Sequence, residues 1–412
     1  MMSSPLRSVP MESLSDQYQS SLGEATADIA NLSLRELLGF TLTQLALAER
    51  QGFLVQRPED KGNGSYERSL QMGSVPVMLQ VPRTRSGDFR PTYLPGPYQR
   101  GYTDETKSLI LGLLASSRSV NAVKQSLSKL GISASDHEVD TVAQEFIDRC
   151  NLRNKSPIPA DLIALFVDGK YVEIRDGECL KPACIYVCIG LDRNGKKRLL
   201  ACAVHLGREN LDDWKKVLRS LIERGLRRVL LVVQDDFTGL LPVTKGFFPQ
   251  SDVQLCTVHL KRNVPLHLDK EDAQVFLDRL RSVGSAYDVT QAAKLFDDLC
   301  TDFADKSPSW IKALTRKREH YLAFIAYPIP VRPMFSTTNV VEAVNGQLER
   351  MRRNNGGYFH SDDTLKLKLG ITTDALESGK WNKTATRVAT ALTQLNALFE
   401  RRFEHELKEI ER

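Results

Sequence analysis

The sequence lacks the features that would place the chain in a membrane or outside the cell. No apolar run approaches the ~20 residues that a membrane-spanning helix needs, so an integral membrane protein is not expected. The start of the chain contains no continuous apolar segment of the kind found in secretory signals. The seven cysteines are odd in number and follow no framework spacing, which indicates reduced thiols. We therefore expect a cytoplasmic protein with no membrane association.

A strong excess of charge of one sign is also missing. The 412 residues include 56 Lys and Arg against 51 Asp and Glu, which gives a net charge of +5. This balance neither demands nor excludes nucleic acid as a partner. Apolar residues make up 42% of the chain, enough for a sizeable core, which excludes a fully disordered protein. The length predicts two to four domains of about 100–200 residues each.

The N-terminal part combines features of DNA-binding segments. Residues 1–30, rich in Ser, are expected to form a flexible tail. Residues 31–100 contain a helix, opened by a capping box at Ser33 and Glu36, and then a basic β element. Residues 101–158 show three short helical patterns, typical of a helix-turn-helix-like DNA-binding region, although many such helices only pack together. Three arginines of the β element are candidate DNA contacts, with plain surface charge an equal alternative: Arg83, Arg85 and Arg90.

Residues 159–268 are predicted to form a sheet with helices on its faces. Apolar strand patterns and amphipathic helices follow the order β-β-β-α-β-α-β. A turn that ends at Gly195 indicates a hairpin between the second and third strands. An antiparallel trio followed by right-handed crossovers gives an α/β fold with a mixed five-stranded sheet. The strands are expected at 162–174, 183–192, 198–205, 228–233 and 253–258.

The rest of the chain is predicted to be mainly helical. Residues 269–330 carry helical stripes and are expected to form an insertion, after which the sheet domain resumes at 331–375. Residues 376–412 carry apolar residues at steps of three and four, typical of one long amphipathic helix. Such a helix packs on the body of the protein or on a second copy, so the pattern is compatible with a homodimer.

Two acids are expected at the ends of neighbouring buried strands. Asp168 follows the apolar run 162–167, and Asp235 follows the run 229–233. A charge in such a place is costly unless it is paired or bound to a metal, and open sheets carry their sites at strand ends. For Asp168, a turn before Gly169 is the plain alternative. Two close carboxylates repel each other, which favours an oxygen-preferring cation, Mg²⁺ or Mn²⁺.

The second and third acids each have an alternative interpretation. Asp236 follows Asp235 directly, and because adjacent strand residues point to opposite faces, only one of them joins the site; we favour Asp235. Glu342 is the candidate third acid, although Asn339 and Glu342 also fit a helix-capping pair. Beside two strand-end acids, Glu342 completes a two-metal carboxylate site that stabilises the attacking and leaving oxygens of a phosphodiester.

Basic residues near these acids are candidate phosphate contacts. Cys256 and His259 form half of a zinc motif, but no second pair follows, so zinc is not expected. We expect His259 and Arg262 to face phosphates instead, and Lys170 to do the same beside the first acid. A further cluster has surface charge as its equal alternative: Arg350, Arg352 and Arg353. If many phosphates are contacted, binding should depend strongly on salt.

Taken together, four motifs resemble the Mutator-type transposases of bacterial insertion sequences. The gaps from 168 to 235 (67 residues) and from 235 to 342 (107 residues) are also similar to that family. A segment with Gly62-Asn-Gly64 and Val81-Pro-Arg-Thr-Arg85 is similar to the family's N-terminal region, and the resemblance covers most of residues 32–375. The four motifs are Val167-Asp-Gly169 with Lys170 and Tyr171, Asp235 with Gly239-Leu240, Gln254-Leu-Cys-Thr-Val-His259 with Arg262-Asn263, and Thr338-Asn-Val-Val-Glu342-Ala-Val-Asn345.

The resemblance implies an RNase H-like core that cleaves and joins DNA ends with Mg²⁺ or Mn²⁺. Its acid triad, which would also bind the metal, matches Asp168, Asp235 and Glu342 here. The resemblance further implies recognition of terminal inverted repeats, capture of target DNA and multimeric assembly, in a bacterial cytoplasm at the nucleoid. Two alternatives stay open: an RNase H-like nuclease that cuts without joining, and a domesticated DNA-binding protein without catalysis.

Overall fold

The computed structural model describes residues 33–72, 75–94, 104–116, 120–130, 132, 134–354 and 356–410. The tail predicted at residues 1–30 lies outside them. The chain divides into two compact units, each considered by itself: Met1–Leu113 with Ser119–Val139, and Leu114–Arg118 with Asp140–Arg412. Within the described ranges, no helix is both long and apolar enough to cross a membrane.

The first unit contains the predicted helix and β element. Helix α1 (Leu34–Gln56) begins at the predicted capping box, in which the Ser33 backbone donates to Glu36 at 2.8 Å and the Glu36 backbone donates to the Ser33 hydroxyl at 3.3 Å. Strands β1 (Gly62–Met72) and β2 (Val75–Thr84) pair antiparallel. Alternate residues of β2 are buried and form a small core with α1. The three helices expected next are also present, although the end of the first and most of the third belong to the second unit: α2 (Asp104–Ser116), α3 (Val120–Lys129) and α4 (Asp136–Lys155).

The second unit is built on the predicted five-stranded mixed sheet. The strand order is β5-β4-β3-β6-β7, with β3, β4 and β5 antiparallel and β3, β6 and β7 parallel. The hairpin turn between β4 and β5 is confirmed, with Gly195 at φ 75°. This order confirms the α/β, RNase H-like fold class. The strands are β3 (Asp161–Asp176), β4 (Cys179–Asp192), β5 (Lys197–Leu206), β6 (Arg228–Gln234) and β7 (Asp252–Leu255).

The sheet separates two hydrophobic cores. Side chains alternate along β3, so Phe166 and Ile174 lie in one core while Leu165 and Val167 lie in the other. Helices α5 (Leu211–Glu223) and α6 (Leu240–Phe247) cover the second core, in which Trp214 is fully buried. The helices that follow β7 in the chain cover the first core. By the same alternation, Asp168 belongs to the face of Phe166.

Three predicted strand boundaries are wrong. The first strand does not end at Asp168 or Ile174 but runs to Asp176, and the second begins at Cys179 instead of 183, because β3 and β4 pair with each other as far as Asp176 and Cys179. The fifth strand ends at Leu255 instead of Val258, because its neighbour β6 ends at Gln234, the partner of Leu255. Beyond that point the backbone forms helix α7 (Thr257–Asn263), and the Thr257 amide donates to the Ser336 carbonyl at 2.9 Å.

The C-terminal stripe is divided into three helices, so the prediction of one long helix is wrong. The apolar pattern identifies the buried face, but it does not show where the backbone hydrogen bonds break. Val388, Leu395, Phe399 and Phe403 are buried in the chain's own first core, so this face does not meet a second copy. The remaining helices are α8 (Lys270–Gly284), α9 (Val289–Asp302), α10 (Pro308–Arg316), α11 (Arg318–Leu322), α12 (Arg332–Phe335), α13 (Asn339–Asn354), α14 (Asp362–Ser378), α15 (Thr386–Ala389), α16 (Leu392–Arg402) and α17 (Glu404–Ile410).

Candidate active site

Asp168 lies where the sheet changes from antiparallel to parallel pairing. The last β3–β6 pair is Phe166 with Val233, so Asp168 lies just beyond the end of the parallel pairing. Its side chain is buried, and its Oδ2 accepts a hydrogen bond from Nδ2 of Asn345 at 2.9 Å. A topological switch point of this kind is where open α/β sheets carry their sites.

The charge environment of Asp168 is unfavourable to its ionised form. Burial raises the pKa of Asp168 to about 7; the positive charge of His259 opposes this shift, whereas the carboxylates of Asp235, Glu209 and Glu342 add to it. Four acidic side chains from separate parts of the chain therefore act on one another. Such an arrangement is stabilised by a bound cation.

The two candidate second acids point to different partners. Asp236 accepts hydrogen bonds from Nζ of Lys317 at 2.6 and 2.8 Å and from the Tyr321 hydroxyl at 3.1 Å. Asp235 instead places Oδ1 3.5 Å from Nδ1 of His259 and contributes to the pKa of Asp168. Asp236 is thus engaged in an ion pair with the helical insertion, and the geometry favours Asp235 as the member of the site.

Glu342 lies in the first turn of α13, and its carboxylate is held by a cation. Nη2 of Arg262 donates to Oε1 of Glu342 at 2.8 Å. The side chain of Glu342 is one-third exposed, and that of Arg262 is 61% exposed. In the alternative interpretation, Glu342 forms a capping pair with Asn339 at the start of its own helix. In the structure its carboxylate pairs with Arg262. This ion pair also gives Arg262, predicted to face phosphate, a protein partner.

Cys256 and His259 lie between the other two candidate acids. His259 is next to Asp235, and Cys256 contacts the residue that precedes the helix of Glu342. Sγ of Cys256 accepts hydrogen bonds from the backbone and the hydroxyl of Thr338, each at 3.4 Å, just before α13 begins. Burial alone would lower the pKa of His259, but its hydrogen bond with Cys256 and the charges of Asp235 and Asp168 raise it to about 9. The raised pKa favours the protonated form of His259, whose Nδ1 lies 3.5 Å from Oδ1 of Asp235.

The remaining predicted phosphate contacts fall into two groups. Arg83, Arg85 and Arg90 belong to the first unit and are exposed there, with the Arg83 guanidinium 5.6 Å from the ring centre of Tyr66. In the second unit, three predicted cations share the carboxylate of Glu349, at 2.7 Å for Arg352, 3.1 Å for Arg353 and 3.8 Å for Lys170; Arg350 is exposed beside them.

Sequence reasoning missed two residues of this site. Asn345 belongs to one of the four motifs but had no predicted role of its own, whereas its side chain contacts Asp168 directly. Glu209, just before α5, accepts a hydrogen bond from Nε1 of Trp214 at 2.7 Å and lies against Gly169. The sequence pointed to Glu209 only indirectly. Gly169, directly after the first acid, has no side chain and so leaves space for another group there.

The donor chemistry at this site fits Mg²⁺ or Mn²⁺, because carboxylate and amide oxygens are the ligands that these ions prefer. Nowhere in the described ranges do three or more His, Cys, Asp or Glu side chains form a group that could hold a metal ion. Two buried atoms next to the acids have no hydrogen-bond partner, Nδ1 of His259 and Oδ1 of Asn345. A cation bound by Oε1 of Glu342 would compete with the guanidinium of Arg262.

Comparison with known proteins identifies the family. The chain is 27% identical to the transposase for insertion sequence element ISRM3 of Rhizobium meliloti over 84% of this chain and 86% of that protein. It is 24% identical to the transposase for IS256 in transposon Tn4001 of Staphylococcus aureus, over 72% and 76%. A Drosophila P element transposase strand transfer complex gives a TM-score of only 0.30 at 13% identity, over 74% of this chain and 82% of that one, which is too weak a likeness to bear on the site. The family model "Transposase, Mutator family" matches residues 6–382, and the chain belongs to this family of transposases.

Proposed function

We propose that this transposase binds the terminal inverted repeats of its insertion sequence and cleaves and transfers DNA strands through Asp168, Asp235 and Glu342. The observation that supports it is the electrostatic grouping of these acids around the switch point of the sheet, where Asp235 and Glu342 both act on buried Asp168. The family membership supplies the class of reaction. The protein would act in a bacterial cytoplasm, at the nucleoid.

In this proposal the three acids would hold Mg²⁺ or Mn²⁺, which when bound would make the attacking hydroxyl more acidic and neutralise charge on the leaving oxygen. The protein's own part is to position these acids. Asn345 orients Asp168 through its 2.9 Å hydrogen bond. His259 places its positive charge 3.5 Å from Oδ1 of Asp235, and its ring is hydrogen-bonded to Cys256. Arg262 neutralises the charge of Glu342 through its 2.8 Å hydrogen bond.

DNA would be held by cations on both units. The exposed arginines of the β element and the helices at 101–158 would bind the repeats, and the cluster at Glu349, with Lys170, would contact phosphates near the acids. We expect log Kd for the repeat to vary linearly with log salt, with a slope of about 0.9 per phosphate neutralised. Assembly as a homodimer or a larger complex on paired ends, together with target DNA, is part of the proposal.

The test is cleavage of a labelled duplex that ends in the element's own terminal repeat, in the presence of Mg²⁺. Wild type should cut at the repeat end and join it to a target duplex, whereas Asp168→Asn and Glu342→Gln should do neither. The matched pair Asp235→Asn and Asp236→Asn identifies the second acid. Only the first should abolish cleavage, because the amide introduced by the second could still accept a hydrogen bond from Lys317.

Three results would change the assignment. Cleavage without joining would identify a nuclease. Specific binding of the repeat without cleavage by wild type would identify a non-catalytic DNA-binding protein. Normal cleavage by Glu342→Gln, with the fold intact by circular dichroism, would remove the third acid from the site.

A further inference from the structure

Glu209 is a carboxylate of the acid group for which the proposed function has no role. It lies in the segment between β5 and α5, and it is partly buried. Its pKa is raised, first by burial and also by the charge of Asp235, while the hydrogen bond from Trp214 and the charge of His259 oppose the rise. Its charge in turn acts on Asp168. Electrostatically, Glu209 therefore belongs with the proposed triad.

The backbone next to Asp168 makes room for this carboxylate. Residue 169 lies within β3, and a Cβ atom built on Gly169 would come 2.7 Å from Oε1, 2.8 Å from Cδ and 2.9 Å from Oε2 of Glu209. These distances are shorter than van der Waals contact, so any side chain at 169 would displace the carboxylate. Gly169 is not in a turn, contrary to the plain interpretation of an Asp-Gly pair. Its missing side chain instead leaves the space that Glu209 occupies.

The position of Glu209 is fixed from its other side by a buried donor. Nε1 of Trp214, which is fully buried in the second core, donates to Oε1 at 2.7 Å. The ring of Trp214 is in turn held edge-on by Tyr186, with 4.9 Å between ring centres. One oxygen of Glu209 is thus hydrogen-bonded to a buried, well-packed side chain. Among the described residues, no Lys, Arg or His side chain forms an ion pair with this carboxylate, whereas Glu342 is paired with Arg262. Gly169 shares the face of Val167 and Trp214, so Glu209 lies on that face of β3 while the Asp168 side chain lies on the other. A cation bound by both carboxylates would therefore lie at the edge of β3, beyond the end of its pairing with β6.

We propose that Glu209 is a fourth carboxylate of the metal-binding site, approaching Asp168 across Gly169 from the α5 side of the sheet. This inference rests on the proposed function, since it presupposes that Asp168 binds the ion. Glu209 contributes oxygen to the same divalent cation and is not merely a hydrogen-bond acceptor for Trp214. The Gly that follows the first acid is then required for the fourth acid to reach the site.

The test measures Mn²⁺ binding by the full-length chain without DNA, from the electron paramagnetic resonance signal of free Mn²⁺. Glu209→Gln keeps an oxygen that can accept from Trp214 but removes the charge, and it should weaken Mn²⁺ binding about tenfold or more. Glu223→Gln, at the exposed end of α5, is the matched control and should bind as wild type does. Asp168→Asn tests the site itself and should also weaken binding.

Gly169→Ala provides a second, independent perturbation. The backbone of a strand accepts Ala, and the side chain that must move is the flexible end of Glu209, so the fold should survive. Binding should fall as it does in Glu209→Gln, and the double variant should bind no more weakly than either single one, because both changes remove the same group. If Glu209→Gln does not fold, the Gly169→Ala measurement decides.

The outcomes separate the two levels of the proposal. Normal Mn²⁺ binding by Glu209→Gln or, if that variant does not fold, by Gly169→Ala, with a loss in Asp168→Asn, overturns the role of Glu209 and leaves the triad standing. Unchanged binding in Asp168→Asn overturns the proposed site, and with it the inference. Weakened binding in Asp168→Asn, Glu209→Gln and Gly169→Ala, with Glu223→Gln normal, supports both.

Discussion

Replacement of Asp168 by Asn should stabilise the metal-free protein, and the gain should grow with pH. The folded protein raises the pKa of Asp168 from 3.8 to about 7. In the unfolded chain this carboxyl loses its proton near pH 4, whereas in the folded chain it keeps the proton until near pH 7. The stabilising effect of the proton is therefore complete below about pH 4 and lost as the pH rises to about 7. The amide of the Asp168→Asn variant has no such proton to lose.

The size of the effect follows from the same shift. Each pKa unit corresponds to 1.36 kcal/mol, so a shift of about three units costs wild type on the order of 4 kcal/mol above pH 7. Asp168 is only 5% exposed, so solvent screens this cost little. The free energy of unfolding of Asp168→Asn, relative to wild type, should therefore increase by about 2–4 kcal/mol between pH 5 and pH 8.

The assay is urea unfolding in EDTA at several pH values, followed by tryptophan fluorescence. All three tryptophans, Trp214, Trp310 and Trp381, lie in the second unit, so the signal reports the unit that contains Asp168. Asp236→Asn is the control, because that acid has an ion-pair partner and its replacement should not stabilise the protein at pH 8. Added Mg²⁺ should stabilise wild type and leave Asp168→Asn unchanged. A difference between wild type and Asp168→Asn that is constant from pH 5 to pH 8 would refute the reasoning.

Three further predictions concern the neighbours of the site. Arg262→Ala should reduce the salt dependence of DNA binding by about one phosphate contact. Because the change also frees the carboxylate of Glu342, Mn²⁺ binding in the absence of DNA should not weaken, and weaker Mn²⁺ binding would contradict the assigned role of Arg262. Glu349→Gln should tighten DNA binding and steepen its salt dependence in filter-binding assays, since the cations around Glu349 lose their partner; an unchanged slope would show that they do not meet phosphate. Gln254→Leu should lower the free energy of unfolding by about 2–3 kcal/mol in urea titrations, because it leaves the buried amide of Phe324 without an acceptor; the exposed Gln274→Leu should change it by less than about 0.5 kcal/mol.

The sequence pattern predicted the sheet because burial on both faces is visible in continuous apolar runs. It could not predict where β3 ends, since that depends on which neighbour continues. Beside Asp168 the parallel partner β6 has ended while the antiparallel partner β4 goes on. The acid was expected at a strand end and lies instead at the end of one pairing. The prediction and the structure nevertheless agree that Asp168 lies at the edge of the parallel part of the sheet.

The sequence could not decide between Asp235 and Asp236, nor could it find Glu209. The distinction between the adjacent acids depends on Lys317, which is 81 residues further along the chain and contacts Asp236 only because the helical insertion folds back on the sheet. Glu209 approaches β3 from a segment that follows two further strands. Contacts between distant segments leave no local periodicity, so only the folded chain shows them.

The arrangement of charges shows that two of the acids are compensated by cationic side chains and that Asp168 is not. Asp168 is buried at an electrostatic cost, which the fold retains although an uncharged residue would be more stable there. His259 partly compensates Asp235, and Arg262 compensates Glu342. Because Arg262 is exposed, a phosphate could compete with Glu342 for it, and the released carboxylate would then be available to a cation. Binding of DNA and binding of metal would thus favour each other. A phosphate that binds Arg262 would free Glu342 for the cation, and a cation that binds Glu342 would free Arg262 for the phosphate.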